Sequence, residues 1–174
     1  MGHSFGGYTA IMTATDRVGN DRVDAIVSLA PVTTLIDDAD LASVDVPTLL
    51  VGASEDTTTP VADNLPRPLA TIPGRPLARV DLVLAGHQSF NDVCDYREAL
   101  ESLGTVPAFF FDLLEGFEAS ACVPELLDID EAHRLIQLFT TTFFAEHLRG
   151  DEVPDVLSED FDEAESDVEI ETAA

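Results

Sequence analysis

The stretch that most constrains this chain is its opening, Gly2-His3-Ser4-Phe5-Gly6-Gly7. A serine with glycine two residues before it and two residues after it fits a sharp strand-to-helix turn, where flanking side chains would meet the crossing backbone. The residues that follow, YTAIMTATDRV, have the length and apolar content of a helix running to about Asp16. A serine on such a turn is a poor nucleophile until a base takes its proton, and that base must be held in one tautomer by an acid. The motif therefore directs attention to histidines and carboxylates further along the chain.

Three apolar runs follow. DAIVSLAPV ends at Pro31, VPTLLVGASED breaks at Gly52 into a polar TTTP loop, and ARVDLVLAGH is apolar from Ala78 to Ala85 before Gly86-His87. Continuous apolar strands separated by helices and loops predict an α/β fold with a parallel sheet covered on both faces. Three such strands alone would leave a wide exposed edge, which folded proteins normally cover. Asp56 falls in the loop after the second run and His87 in the loop after the third, so the chain order is serine, acid, histidine, as in the elbow architecture. Ser4 is the candidate nucleophile, His87 the candidate base and Asp56 its orienting acid, with Gly2 and Gly6 shaping the turn. Glu55 adjoins Asp56 and is the other candidate acid. The alternative reading is a glycine-rich turn with an unrelated surface Asp and His. His3, inside the turn, is expected to pack or hydrogen-bond locally.

From Gln88 to Asp128 the pattern loosens into a lid or excursion containing Phe109, Phe110 and Phe111. These rings, with Phe90, are expected to serve in core or lid packing, the alternative being a surface for an acyl chain. Cys94 and Cys122 bracket the segment, and two cysteines can form only one bridge; the alternative is two buried thiols. DEAHRLIQLFTTTFFAEHL then predicts a helix with Leu135, Leu138, Phe139, Thr142 and Phe143 along one side. His133 and His147 lie on it with no Cys or His at metal-ligand spacing, so no metal site is expected.

The 34 acidic residues outnumber the eight basic ones, all arginine, for a formal charge of −26. Such a field repels phosphate backbones and anionic lipid, so nucleic acid is not an expected partner. A solvated acidic surface of the kind found in salt-adapted proteins accounts for it. No run is long and apolar enough to span a bilayer. Residues 151–174 hold eleven acids and no cation, with apolar residues scattered between them. That composition predicts a disordered acidic tail after a domain spanning residues 1–150.

GHSFGGYTA, VPTLLVGASEDTTTP and LAGHQSF resemble the nucleophile, acid and histidine segments of the α/β-hydrolase superfamily. The branch is similar to dienelactone-hydrolase-like proteins, platelet-activating-factor acetylhydrolase-like esterases and polyester hydrolases. The resemblance implies a partial α/β-hydrolase fold lacking its N-terminal strands, corresponding to the C-terminal half of such a domain with Met1 at the end of its central strand. It implies a Ser4, Asp56 and His87 triad acting through an acyl-enzyme, with the Phe5 backbone N–H as one oxyanion donor and no cofactor. Dienelactone hydrolases proper carry cysteine at the nucleophile position, so serine favours a carboxylic ester hydrolase of small-molecule esters. An acyltransferase on the same scaffold and a non-catalytic fragment are the competing readings. The second oxyanion donor comes from a loop preceding the elbow, so the isolated chain is expected to turn over esters poorly or not at all. Extracytoplasmic relatives often carry a disulfide in this region, which implies a Cys94–Cys122 bridge worth roughly 3–4 kcal/mol and an oxidising or secreted setting.

Overall fold

The computed structural model describes residues 1–18 and 22–173. Its sheet comprises β1 (Gly2–His3), β2 (Ile26–Leu29), β3 (Thr48–Ala53), β4 (Leu77–Leu82) and β5 (Val168–Thr172), in that spatial order. The first four are parallel and β5 is antiparallel to β4. Every residue of β2 and β3 is buried, as expected of parallel strands covered on both faces. The chain is thus α/β, a mostly parallel sheet flanked by helices as in a partial α/β-hydrolase fold.

Alternate side chains of the central strands feed two cores. On one face Val27, Leu29, Leu49, Val51, Val80 and Leu82 pack with Leu135, Phe139 and Phe143. Those three come from α7 (Ile129–Arg149, the last helix but one of the chain). Asp128 caps its start by accepting from the Asp130 and Glu131 N–H groups, and Gly150 ends it at φ 69°, a left-handed position that suits glycine. On the other face Ile26, Leu50 and Leu77 meet Ile11 and Met12 of α1 (Phe5–Met12) and Leu41 of α2 (Asp38–Leu41). Leu65 and Leu69 join that core from the loop after α3 (Val61–Asn64) and from α4 (Pro66–Thr71). Each fully buried Leu or Phe here is worth about 1.5–3 kcal/mol.

The first helix is shorter than its composition predicts. It stops at Met12 because the Thr13 and Thr15 hydroxyls donate to the Ala10 and Met12 carbonyls, a local alternative to the helical ladder. The loose segment folds into two helices, α5 (Val93–Ser102) and α6 (Ala108–Glu118), and the Cys94–Cys122 disulfide, with a Cα separation of 5.7 Å, ties the start of α5 to the turn after α6.

The acidic tail corrects the expectation of disorder. Residues 159–164 form α8 (Glu159–Ala164), whose N-cap Ser158 accepts from the Phe161 N–H at 3.3 Å, and β5 closes the outer edge of β4. Val168 pairs with Leu82 and Ile170 with Val80, while Glu169 and Glu171 alternate onto the other face beside Asp81 and Arg79. Arg79 bonds Asp81 and also reaches Glu171 at 3.3 Å. VEIET is an apolar-polar alternation only five residues long, hidden among eleven acids, and it needed β4 as its partner to become a strand. Val168 is buried in the core beneath α7. Val168→Asp should therefore lower stability by about 2–3 kcal/mol, read as a fall in thermal midpoint; an unchanged midpoint would mean that the tail does not dock.

Candidate active site

Ser4, Asp56 and His87 each lie just beyond the C-terminal end of a parallel strand, after β1, β3 and β4. Open α/β sheets place ligands at that edge because the loops there converge over the strand ends. Ser4 sits between β1 and α1 with φ 58° and ψ −119°, a strained conformation for a residue bearing a Cβ. Its N–H donates to the Leu29 carbonyl at 2.9 Å and its own carbonyl accepts from the Tyr8 N–H at 3.1 Å. One bond fixes the turn to β2 and the other starts the helix.

Two glycines make this turn possible. A Cβ on Gly2 would overlap the Gly6 carbonyl and lie 2.8 Å from the Gly6 Cα, and a Cβ on Gly7 would lie 2.8 Å from the Ser28 Oγ and 3.0 Å from the Pro31 Cβ. Gly6 is different: among the described residues, and apart from its chain neighbours and its own helix backbone, nothing lies within 4 Å of the position its Cβ would take. The steric demand expected of Gly6 thus falls on Gly7, whose carbonyl also accepts from the buried Ser28 hydroxyl at 2.9 Å.

His87 is buried, with Nε2 3.1 Å from the Ser4 Oγ and Nδ1 2.7 Å from the Asp56 Oδ2. The tautomer that satisfies both contacts places the hydrogen on Nδ1, donating to the carboxylate, and leaves Nε2 to accept from the serine hydroxyl. The histidine loop is anchored by Gly86, whose N–H donates to the Ser89 Oγ at 3.1 Å. A Cβ on Gly86 would overlap the Ser120 carbonyl, so the loop packs directly against the disulfide-tied excursion. Asp56 is buried and Glu55 is exposed. The Asp56 Oδ1 accepts the Thr58 and Thr59 N–H groups, both at 2.8 Å, and Oδ2 accepts the Thr59 hydroxyl at 2.8 Å. Burial alone would raise the Asp56 carboxyl, but the hydrogen bonds from His87 and Thr59 outweigh it and hold the group below its ordinary value.

Phe5 begins α1, so its N–H belongs to the first turn, where helical N–H groups lack an intrahelical partner. The Phe5 ring is exposed. His3 does more than pack locally. Its ring lies 4.6 Å from that of His87 and 5.4 Å from that of Phe90, centroid to centroid, and its Nε2 is buried without a hydrogen-bond partner among the described residues. Desolvation, followed by the charge of His87, lowers the His3 pKa, partly offset by a hydrogen bond to the His87 backbone and by Asp56.

A histidine whose folded pKa is lowered binds fewer protons folded than unfolded below about pH 6.5. Its contribution to stability is complete above that pH and is lost as pH falls below it; the lowered Asp56 adds a second loss below about pH 4. Thermal midpoints measured from pH 7.5 to pH 5 should therefore fall more steeply for the native chain than for His3→Asn. Equal slopes would refute the assignment. Using the variant as reference removes the separate effect of neutralising the acidic surface.

Phe109 and Phe110 stack at 4.2 Å on the exposed face of α6, and Arg97 lies 5.9 Å from the centroid of Phe111. Of the core or lid packing expected of these rings, Phe109 and Phe110 therefore fall on the lid side, on the excursion helix. Phe90 alone of the four packs against the main core and His3. His133 Nε2 contacts the Asn91 carbonyl at 3.2 Å, and the His147 ring packs on Phe143. Neither reaches the Ser4 site. A cleft of about 360 Å³ beside β1, lined by Met1, Ala10, Ala25, Phe144 and Leu148 among others, does not include Ser4.

A family model for the alpha/beta hydrolase fold matches residues 1–109. The chain belongs to the α/β-hydrolase fold family. Among solved structures, a predicted CIB-like hydrolase from Thermoplasma acidophilum is 33% identical over a match covering 50% of this chain and 40% of that one, with a TM-score of 0.42. No curated protein gave a significant match.

Proposed function

We propose that the protein is a serine carboxylic ester hydrolase acting on small-molecule esters. The observation that carries this reading is the continuous Ser4–His87–Asp56 chain of contacts, at 3.1 Å and 2.7 Å, ending on a serine in a strained turn. In the proposed reaction the Ser4 Oγ attacks the ester carbonyl carbon while its proton passes to the His87 Nε2. The carbonyl oxygen becomes an oxyanion facing the Phe5 N–H. Collapse breaks the bond to the alcohol oxygen, which takes the proton from His87 and leaves an acyl-Ser4. Water, deprotonated by His87, then attacks the acyl carbon, and the carboxylic acid departs as Ser4 recovers its proton.

A fluorophosphonate tests this directly, because phosphonylation needs an activated Ser4 and an oxyanion donor, and both lie within the chain. The folded protein should gain one phosphonyl group on the peptide containing Ser4, and Ser4→Ala should gain none. A folded chain that takes up no label, or that labels equally well without Ser4, would refute the reading.

A further inference from the structure

Among Thr57, Thr58 and Thr59, only Thr59 is buried. Its hydroxyl oxygen stands at a junction of three groups: the Asp56 Oδ2 at 2.8 Å, the Ala30 carbonyl at 3.0 Å and the His87 Nδ1 at 3.2 Å. The hydroxyl has one hydrogen to give, and the charged carboxylate is the stronger acceptor for it. Its N–H donates to the other carboxylate oxygen of Asp56 at 2.8 Å. Ala30 follows β2 with a positive φ of 40° and is pinned by its N–H to the Val51 carbonyl at 2.7 Å. One threonine therefore touches the acid, the base and the strand end between Ser4 and Asp56.

We propose that the Thr59 hydroxyl is a positioning group for the Asp56–His87 pair, setting both the orientation of the carboxylate and the charge it presents to Nδ1. The proposal rests on the serine hydrolase reading above. A carboxylate can turn about its Cβ–Cγ bond and present either oxygen, or neither, along the Nδ1–H direction. Two N–H donors hold Oδ1; the hydroxyl, sharing Oδ2 with the imidazole, closes the fourth position and leaves the carboxylate one orientation. Each donor also draws charge from the carboxylate. With the hydroxyl present, Oδ2 is a weaker acceptor toward the His87 N–H. With the hydroxyl removed, the carboxylate loses its lock and presents more charge to the ring. A carboxylate that presents more charge favours the imidazolium over the neutral ring, and the imidazolium cannot accept the Ser4 proton. His3 also faces His87, 4.6 Å away between ring centroids, and it is common to all the proteins compared below.

The experiment is the rate of fluorophosphonate labelling of the purified chain against pH, for native protein, Ser4→Ala, Thr59→Val and Thr59→Ser. Thr59→Val keeps the shape and loses the hydroxyl. It should label about 10- to 100-fold more slowly, the range expected for losing a hydrogen bond to a charged group, and the acid limb of its profile should move to higher pH. Thr59→Ser should restore most of the rate and return the limb. A purely structural threonine would lower the amount of folded protein but leave the limb in place, without rescue by serine; that result overturns the proposal. So does a Thr59→Val profile superimposable on the native one. Should Thr59→Val not fold, Thr59→Ala makes the same comparison. Failure of the parent reading is separately visible, because native protein would then not label in a Ser4-dependent way.

Discussion

Asp56→Asn should slow the reaction of Ser4 with a fluorophosphonate by roughly 10³–10⁴-fold, while Glu55→Gln leaves it within about twofold. The asymmetry follows from geometry, since the two carboxylates are neighbours in sequence but occupy opposite environments. Asp56 is buried with four donors around its two oxygens, one of them the His87 Nδ1 at 2.7 Å. An asparagine there must present either its oxygen or its NH2 to that nitrogen. If it presents the NH2, the imidazole hydrogen shifts to Nε2, where it blocks acceptance of the Ser4 proton; if it presents the oxygen, the charge that stabilises the imidazolium is gone. Glu55 is exposed and, among the described residues, its side chain makes only a 3.4 Å contact with the Ser54 hydroxyl. A comparable loss of labelling in both variants would remove Asp56 from the proposed mechanism.

Gly2→Ala and Gly6→Ala, equivalent in the G-x-S-x-G pattern, should behave oppositely. A Cβ added at Gly2 would collide with the backbone carbonyl and Cα of Gly6, and backbone at the start of a helix cannot step aside as a flexible side chain can. Gly2→Ala should lower stability by about 2–3 kcal/mol and abolish Ser4 labelling, since relief of the clash must open the turn that holds the serine. At Gly6 a Cβ meets open space, and the residue lies within α1. Gly6→Ala should fold as well as the native chain or gain about 0.5–1 kcal/mol from the reduced entropy of the unfolded state. Chemical denaturation of the two variants, with labelling as the second readout, checks both. If Gly6→Ala proved as damaging as Gly2→Ala, the requirement for Gly6 would be chemical rather than steric.

Much of the candidate site was legible because its parts are local. Ser4 is announced by its glycines, and Asp56 and His87 by the breaks at the ends of two apolar strands, where a buried β-run must give way to polar loop. The α7 helix declared itself through apolar spacing, with Leu135, Phe139 and Phe143 buried as that spacing predicts. Other features had no local signature. Gly7 is required by Ser28 and Pro31, which lie on or just beyond a different strand. His3 meets His87 across more than eighty residues of chain, and nothing in GHSFG distinguishes a histidine packed on an imidazole from one facing water. The TTTP loop offers three threonines, of which burial selects one.

Sequence alone determined the α/β class and the strand ends after which Ser4, Asp56 and His87 fall, because hydrophobic period and turn chemistry are properties of consecutive residues. Tertiary structure decided which donors surround Asp56, which glycines are sterically bound, and that β5 covers the edge of β4 rather than trailing in solvent. Those outcomes depend on which surfaces meet. An acidic segment with two apolar side chains per strand becomes ordered only when Leu82 and Val80 stand opposite Val168 and Ile170, a pairing that offsets its ordering entropy and that no window of its own residues contains.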